Sequence, residues 1–315
     1  MKILVTGADG LVGNAFRRIQ QSYADHEWVF VTRRMCNLEN KTDVDNLFDI
    51  EEPDVVIHLA AKVGGLYMNI RNNLAMYKEN VAINTNIIDA CVGYNVSKCI
   101  LCLSTCVFPD RVCESFTEED LHMGEPHDSN NGYAYAKRQA EIYSRLQMKR
   151  GCHTKFYCLS PTNMYGPNDN FELNNAHVVP ALIMKAFLIY ASESESSLAV
   201  KGSGLAKRQF MYVDDFANII MRLVMGYDGS ESHFIVAPDW EHSINDLATI
   251  ICRSMKIHDT IVHTPVENEG QTRKFANANK LLSLPCMDDF QFTPLEEGIQ
   301  TTVDWVKNNG STMRR

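Results

Sequence analysis

Short apolar runs alternate with helix-spaced segments through the first half of the chain. Residues 2–6, 28–32, 54–59, 99–103 and 155–159 are dense in aliphatic and aromatic side chains, the pattern of strands buried on both faces. Between them, residues 11–22, 44–49, 77–94 and 133–149 carry apolar positions three and four apart, which predicts helices. This alternation predicts an α/β fold with a parallel, doubly wound sheet.

The pattern changes after residue 165. Residues 167–175 read as a polar, Asn-rich loop and 192–197 as a solvated Ser/Glu loop. Residues 177–188, 214–225 and 243–255 read as helices, the second capped by Asp214-Asp215 and the third by Ser243. Two regimes predict two units. Residues 1–165 form a nucleotide-binding domain, to which a strand and a helix return near 205–240. Residues 166–204 and 241–315 form a smaller C-terminal α/β substrate-binding lobe.

Composition narrows the class. The chain has 315 residues, 45% hydrophobic and 22% charged, ordinary for a globular protein and long enough to bury a core without disulfides or metal. Acidic residues outnumber basic ones, 39 to 30; this argues against a nucleic-acid partner and leaves room for a local basic pocket that takes a phosphorylated small molecule. No apolar run approaches the ~20 residues that span a bilayer, and no signal-peptide pattern is visible. With ten cysteines, a reducing, cytoplasmic setting without a membrane partner is expected. Cys99, Cys102 and Cys106 invite a metal reading. However, Cys99 and Cys102 lie three apart in a strand and point to opposite faces, so no metal is expected.

Candidate chemistry begins at Gly7-Ala-Asp-Gly10-Leu-Val-Gly13, between the first strand and the first helix. Glycines there allow a tight turn and close backbone approach to a pyrophosphate, which the helix N-terminus attracts. The fold expected is therefore of Rossmann type. After the second strand, sites for NAD carry an acid for the ribose hydroxyl. Here Thr32-Arg33-Arg34 stands instead, and arginine takes a phosphate in a fork. The cofactor expected is NADP(H). In His58-Leu-Ala-Ala61, Ala60 and Ala61 allow either close packing in the sheet or approach to that cofactor.

Tyr133 and Lys137 lie one helical turn apart on one face; Tyr135 is off that face. A cation beside a phenol lowers its pKa, and such a tyrosine can pass a proton to a carbonyl oxygen. Ser104 ends the preceding strand, where a hydroxyl either bonds that oxygen or caps the strand.

These features resemble the extended short-chain dehydrogenase/reductase family. Within it, the chain resembles the bifunctional 3,5-epimerase/4-reductases of GDP-linked 4-keto-6-deoxy sugars. The resemblance rests on residues 5–13, His58-Leu-Ala-Ala-Lys-Val-Gly-Gly65, Leu103-Ser-Thr-Cys-Val-Phe-Pro109, Gly132-Tyr-Ala-Tyr-Ala-Lys137, residues 161–171 and His177-Val-Val-Pro180. It implies epimerisation and NADPH-dependent reduction of GDP-4-keto-6-deoxy-D-mannose at one site. It further implies Cys106 as the epimerisation base, His177 as the acid on the opposite face, Tyr133 as proton donor, Lys137 as its electrostatic partner and Ser104 as the group orienting the ketone.

For the cofactor the resemblance implies Gly7, Asp9, Gly10, Leu11, Val12, Gly13, Arg33, Arg34, Leu38, Ala60, Ala61, Lys137, Pro161, Asn163, Met164 and His177. For the GDP-sugar substrate it implies Lys185, Lys201, Arg208, Glu269 and Lys274. Lys201 stands where the family commonly has tryptophan; it cannot stack on a base but can meet a phosphate. Lys185 replaces a common arginine, a point charge for a fork. A homodimer through the helices at 77–94 and 133–149 is also implied.

Three other readings fit less well. A sugar-nucleotide 4-epimerase would carry an acid near Arg33-Arg34. A 4,6-dehydratase would carry Asp-Glu where Thr105-Cys106 stands. A silent dinucleotide sensor would have no need of Ser104, Tyr133 and Lys137 together.

Overall fold

The computed structural model describes residues 1–111, 114–192, 197–258, 260–266, 271–310 and 313, without the side chains of Leu66 and Tyr67. The chain opens with β1 (Lys2–Thr6), α1 (Leu11–Ile19), β2 (Glu27–Val31), α2 (Lys41–Glu51), β3 (Val55–His58), α3 (Leu66–Gly93) and β4 (Lys98–Cys102). Next come α4 (Asn131–Lys149), β5 (Lys155–Pro161), β6 (Asn163–Tyr165), α5 (Val178–Ala191) and β7 (Leu198–Lys201). They are followed by β8 (Lys207–Arg208), β9 (Phe210–Tyr212), α6 (Val213–Gly226), β10 (His233–Val236) and β11 (His242–Ser243). The chain closes with α7 (Ile244–Met255), β12 (Ile261–Thr264), β13 (Arg273–Lys274), α8 (Asn279–Leu282) and α9 (Leu295–Asn309).

Among the described residues, six parallel strands form one sheet in the order β10-β5-β4-β3-β1-β2. Side chains alternate across it. Leu4, Val56, Cys99 and Leu101 face a core shared with Phe48 of α2, Ile87 of α3 and Ala140 of α4. Ile3, Val5, Ile57 and Ile100 face a second core with Phe16 of α1 and Phe216 and Ile220 of α6. Removing a ring such as Phe216 would cost about 3–5 kcal/mol in lost burial and cavity. Cys102 packs on the second core while Cys99 sits in the first, so the strand does hold them apart.

A third core joins α5, α7 and α9 through Ile183, Ile251, Ile299 and Val303. Residues 276–287, placed with the C-terminal lobe by the sequence pattern, return to the sheet instead. Ala276 and Ala278 enter the first core, and Leu281 and Met287 the second. Buried Gln209 fastens this return: its Oε1 accepts from Ala276 N at 2.8 Å and its Nε2 donates to Pro238 O at 2.6 Å.

Two helix predictions need correction. The helix expected from residue 77 begins at Leu66 and bends at Asn72, where φ is −123°. Asparagines weaken helix propensity there, and side-chain bonds compensate: locally Asn69 Nδ2 donates to Gly64 O at 2.6 Å, and across to α4 Asn73 Nδ2 donates to Asn131 Oδ1 at 2.6 Å. Asp214 and Asp215 lie inside the first turn of α6, and Tyr212 is its cap, because β9 runs straight into the helix. By contrast, Ser243 does cap α7, in a reciprocal box with Asp246.

The two aspartates reach distant partners. Asp214 pairs with Arg18 at 2.5 Å, and Asp215 accepts from Thr293 N and Oγ1, both at 2.8 Å. Burial pushes the Asp215 carboxyl from 3.8 up to about 6, outweighing those two bonds. The folded chain therefore holds this proton more tightly than the unfolded one. The stability it contributes is present below the unfolded value and is lost as pH rises through about 6. Asp215→Asn keeps an acceptor for Thr293 and removes the titration. Between about pH 4.5 and about pH 7.5, the parent is expected to lose melting temperature relative to this variant. Parallel curves would count against the assignment.

Among the described residues no helix is long and apolar enough to cross a membrane.

Candidate active site

The C-terminal ends of β1, β3 and β4 open on one side of the sheet, where ligands of such folds sit. At the end of β1, Gly7 has φ +69°, and a Cβ there would lie 2.8 Å from Ala60 N. Gly10 is the N-cap of α1 and provides no side-chain cap. The first-turn amides of Leu11, Val12 and Gly13 thus have no intrahelical partner. Gly13 lets the helix close on the turn, its Cβ position being 2.5 Å from Ala8 Cα. Asp9 is exposed beside them. This uncapped, side-chain-free cradle at a positive dipole end fits a pyrophosphate. Arg33 and Arg34 stand exposed just beyond β2, open to a further phosphate. Leu38 differs: its side chain is in the first core and its carbonyl accepts from Asn86 Nδ2 at 2.9 Å.

A buried polar chain secures the Ala60-Ala61 edge. Thr6 Oγ1 accepts from Leu59 N and Ala60 N, both at 3.1 Å. Its own proton therefore goes to His58 Nδ1 at 2.8 Å. That leaves His58 Nε2–H to donate to Asn84 Oδ1 at 3.2 Å, and Asn84 Nδ2 donates to Ala136 O in α4 at 3.1 Å. Burial, then the charge of Lys137, pushes His58 down to about 3, so it stays neutral. The chain links the strand ends to the helix that carries Tyr133.

Ser104, Cys106, Tyr133 and Lys137 converge where β4 ends and α4 begins. Residues Thr105–Val107 form a single 3-10 turn capped by Ser104, whose Oγ accepts from Cys106 N at 3.2 Å and whose hydroxyl also acts on the Cys106 sulfur. Lys137 Nζ lies 5.6 Å from the Tyr133 ring centre and donates to Cys102 O at 2.6 Å. The expectation that Lys137 draws the phenol pKa down is not met. Burial dominates, Cys106 and Cys102 add to it, and Tyr133 is pushed well up. Burial also raises the Cys106 thiol, against opposing pulls from Ser104, Lys274 and Lys137. Burial lowers Lys137.

Gly132 sets the height of Tyr133. Its N donates to Asn73 Oδ1 at 2.6 Å, and a Cβ would fall 2.2 Å from Asn73 O. Gly132→Ala is expected to force α4 off α3 at a cost of about 1–3 kcal/mol and to slow any step that uses Tyr133. An unchanged melting temperature and turnover would contradict this.

The other candidates come from distant segments. His177 caps α5 after a loop whose Asn175 O accepts from Gly65 N at 3.2 Å. Its ring is solvent-accessible yet hemmed in by protein, which lowers its pKa. Pro161 ends β5, and Asn163 and Met164 lie in β6, where Asn163 Nδ2 donates to Gln209 O at 3.0 Å.

Arg208 and Lys274 are register partners on β8 and β13. Arg208 is anchored to Gln271 O at 2.6 Å and lowered by burial. Sequence reasoning grouped Lys274 with the substrate and missed that it also acts on Cys106. Lys185 forms a separate pair with Lys201: it donates to Ala199 O at 2.8 Å and is lowered by burial and by the Lys201 charge. Glu269 lies outside the described residues.

The chain is similar to known proteins along its length. Residues 3–237 match the NAD dependent epimerase/dehydratase family. A GDP-L-fucose synthase of Dictyostelium discoideum is 36% identical over 99% of this chain and 97% of its own length. One of Escherichia coli is 30% identical over 99% and 98%. The crystal structure of a GDP-L-fucose synthetase from Naegleria fowleri bound to NADP superposes with a TM-score of 0.88 at 35% identity, covering 100% of this chain and 95% of that one.

Proposed function

From the premise that the chain belongs to the NAD dependent epimerase/dehydratase family, and aligns end to end with GDP-L-fucose synthases, we propose an activity. It epimerises GDP-4-keto-6-deoxy-D-mannose at C3 and C5 and reduces it at C4 with NADPH, yielding GDP-L-fucose. The observation that carries the reading is the meeting of a thiol, a serine hydroxyl and a Tyr/Lys pair at the end of β4.

The chemistry follows from the groups. A ketone at C4 acidifies the protons on C3 and C5. Cys106, as thiolate, takes each proton; Ser104 donates to the ketone oxygen, where the negative charge collects. His177 returns a proton from the opposite face, inverting the centre. NADPH, when bound, supplies the hydride that reduces C4. Tyr133 then protonates the C4 oxygen, a role that suits a phenol held protonated by burial. The amides of Leu11, Val12 and Gly13 would hold the cofactor pyrophosphate, with Arg33 and Arg34 on its 2′-phosphate. Arg208, Lys274, Lys185 and Lys201 would hold the GDP-sugar.

The lobe around the third core would cover the sugar. A homodimer also belongs to this reading: Leu74 and Tyr77 of α3 and Ile142 and Leu146 of α4 are exposed at helical spacing. Nine free cysteines among the described residues suit a cytoplasmic setting.

The test mixes the protein with NADPH and GDP-4-keto-6-deoxy-D-mannose in heavy water. The expected product is GDP-L-fucose with deuterium at C3 and C5. GDP-6-deoxy-D-talose or GDP-D-rhamnose, without deuterium, would mean reduction alone.

A further inference from the structure

Arg138 follows Lys137 in α4 and is only 6% exposed. A guanidinium stays charged in proteins, and burying a charge is costly unless something compensates it. Among the described residues, none of its close contacts carries a formal negative charge. Nε donates to Val107 O at 2.7 Å, the guanidinium lies 5.6 Å from the Tyr135 ring centre, and Nη2 is buried with no hydrogen-bond partner among the described residues. Burial lowers Arg138, and the charge of an ionised Cys106 works against that.

Val107 closes the single turn that has Cys106 at its middle. Ser104 Oγ grips that turn at the Cys106 amide and Arg138 grips it at the Val107 carbonyl. The other groups acting on Cys106 are engaged elsewhere: Lys137 bonds Cys102 O, and Lys274 sits in register with Arg208. Tyr133 and Cys102, on the same side, are neutral when protonated and bring no positive charge. Lys137 and Arg138 are both buried cations, and of the two it is Arg138 that bonds the carbonyl next to Cys106.

We propose that Arg138 is a positioning residue for Cys106: it fixes the turn through the Val107 carbonyl, and its charge beside that turn favours the thiolate against the surroundings that disfavour it. The inference rests on the reading of Cys106 as base. Arg138 itself neither gains nor loses a proton. The proton leaves C3 or C5 for sulfur, and the electron pair moves to the C4 oxygen.

The test follows alkylation of Cys106 by iodoacetamide against pH, read from the mass of the Cys106 peptide, in the full chain. Arg138→Met is expected to raise the alkylation midpoint by about one unit, so that thiolate at neutral pH falls about tenfold. Arg138→Lys keeps the charge and should restore most of the shift. Deuterium uptake at C3 and C5 should fall alongside, with 4-reduction less affected. A parent-like midpoint in Arg138→Met, or equal shifts in the Met and Lys variants, would overturn the proposal. Undiminished deuterium uptake in Cys106→Ala would instead remove the base assignment, while the alkylation midpoints still decide the charge effect of Arg138 on the sulfur.

Discussion

Cys106→Ser is expected to cut deuterium uptake at C3 and C5 by about 10²–10⁴-fold, the usual range for losing a positioned base, while NADPH oxidation continues. Serine retains the amide that Ser104 Oγ holds, so the turn should survive and the loss should be chemical. A hydroxyl ionises far less readily than a thiol, and no surrounding cation can make up that difference. The product should shift toward the unepimerised GDP-6-deoxy sugar, which proton NMR distinguishes. Equal loss of exchange and of NADPH oxidation would place Cys106 in binding or folding rather than in proton abstraction.

Tyr133→Phe should divide the reaction the other way. The ring remains to pack beneath Lys137, and only the O–H is lost. NADPH oxidation is expected to fall by about 10²–10⁴-fold, with solvent exchange at C3 and C5 retained. Because burial holds the phenol pKa well above its ordinary value, the proton is present throughout the neutral range. The reductive step of the parent should therefore not decline as pH rises through that range on account of Tyr133. Such a decline, if it vanished in the Phe variant, would mean that Lys137 does lower the phenol in the working enzyme. The two variants together test whether one site divides its labour between sulfur and phenol.

The nucleotide half was readable because its signals are local. Strands buried on both faces are apolar runs, the glycine turn is a spacing of three residues, and Tyr133 and Lys137 are one helical turn apart. Each requires only neighbours in the chain. The start of α3 was not readable, since Asn69, Asn72 and Asn73 speak against a helix, and the partner that holds Asn73 there lies in α4, 58 residues on. Asp214 and Asp215 looked like a cap for the same reason: their true partners, Arg18 and Thr293, lie 196 and 78 residues away.

By itself, then, the sequence determined the doubly wound sheet, the glycine turn and the Tyr133/Lys137 spacing, because periodicity and short spacing encode them; Cys106 and His177 came only from the family resemblance. Only the tertiary structure decided that side chains from residues 276–287 pack into the cores on both faces of the sheet and that Lys274 stands beside Arg208 and acts on Cys106. It alone showed that Arg138 lies buried against the same turn. It also reversed the expected direction of the Tyr133 shift. Desolvation depends on everything that surrounds a group in space, and no local pattern along the chain records it.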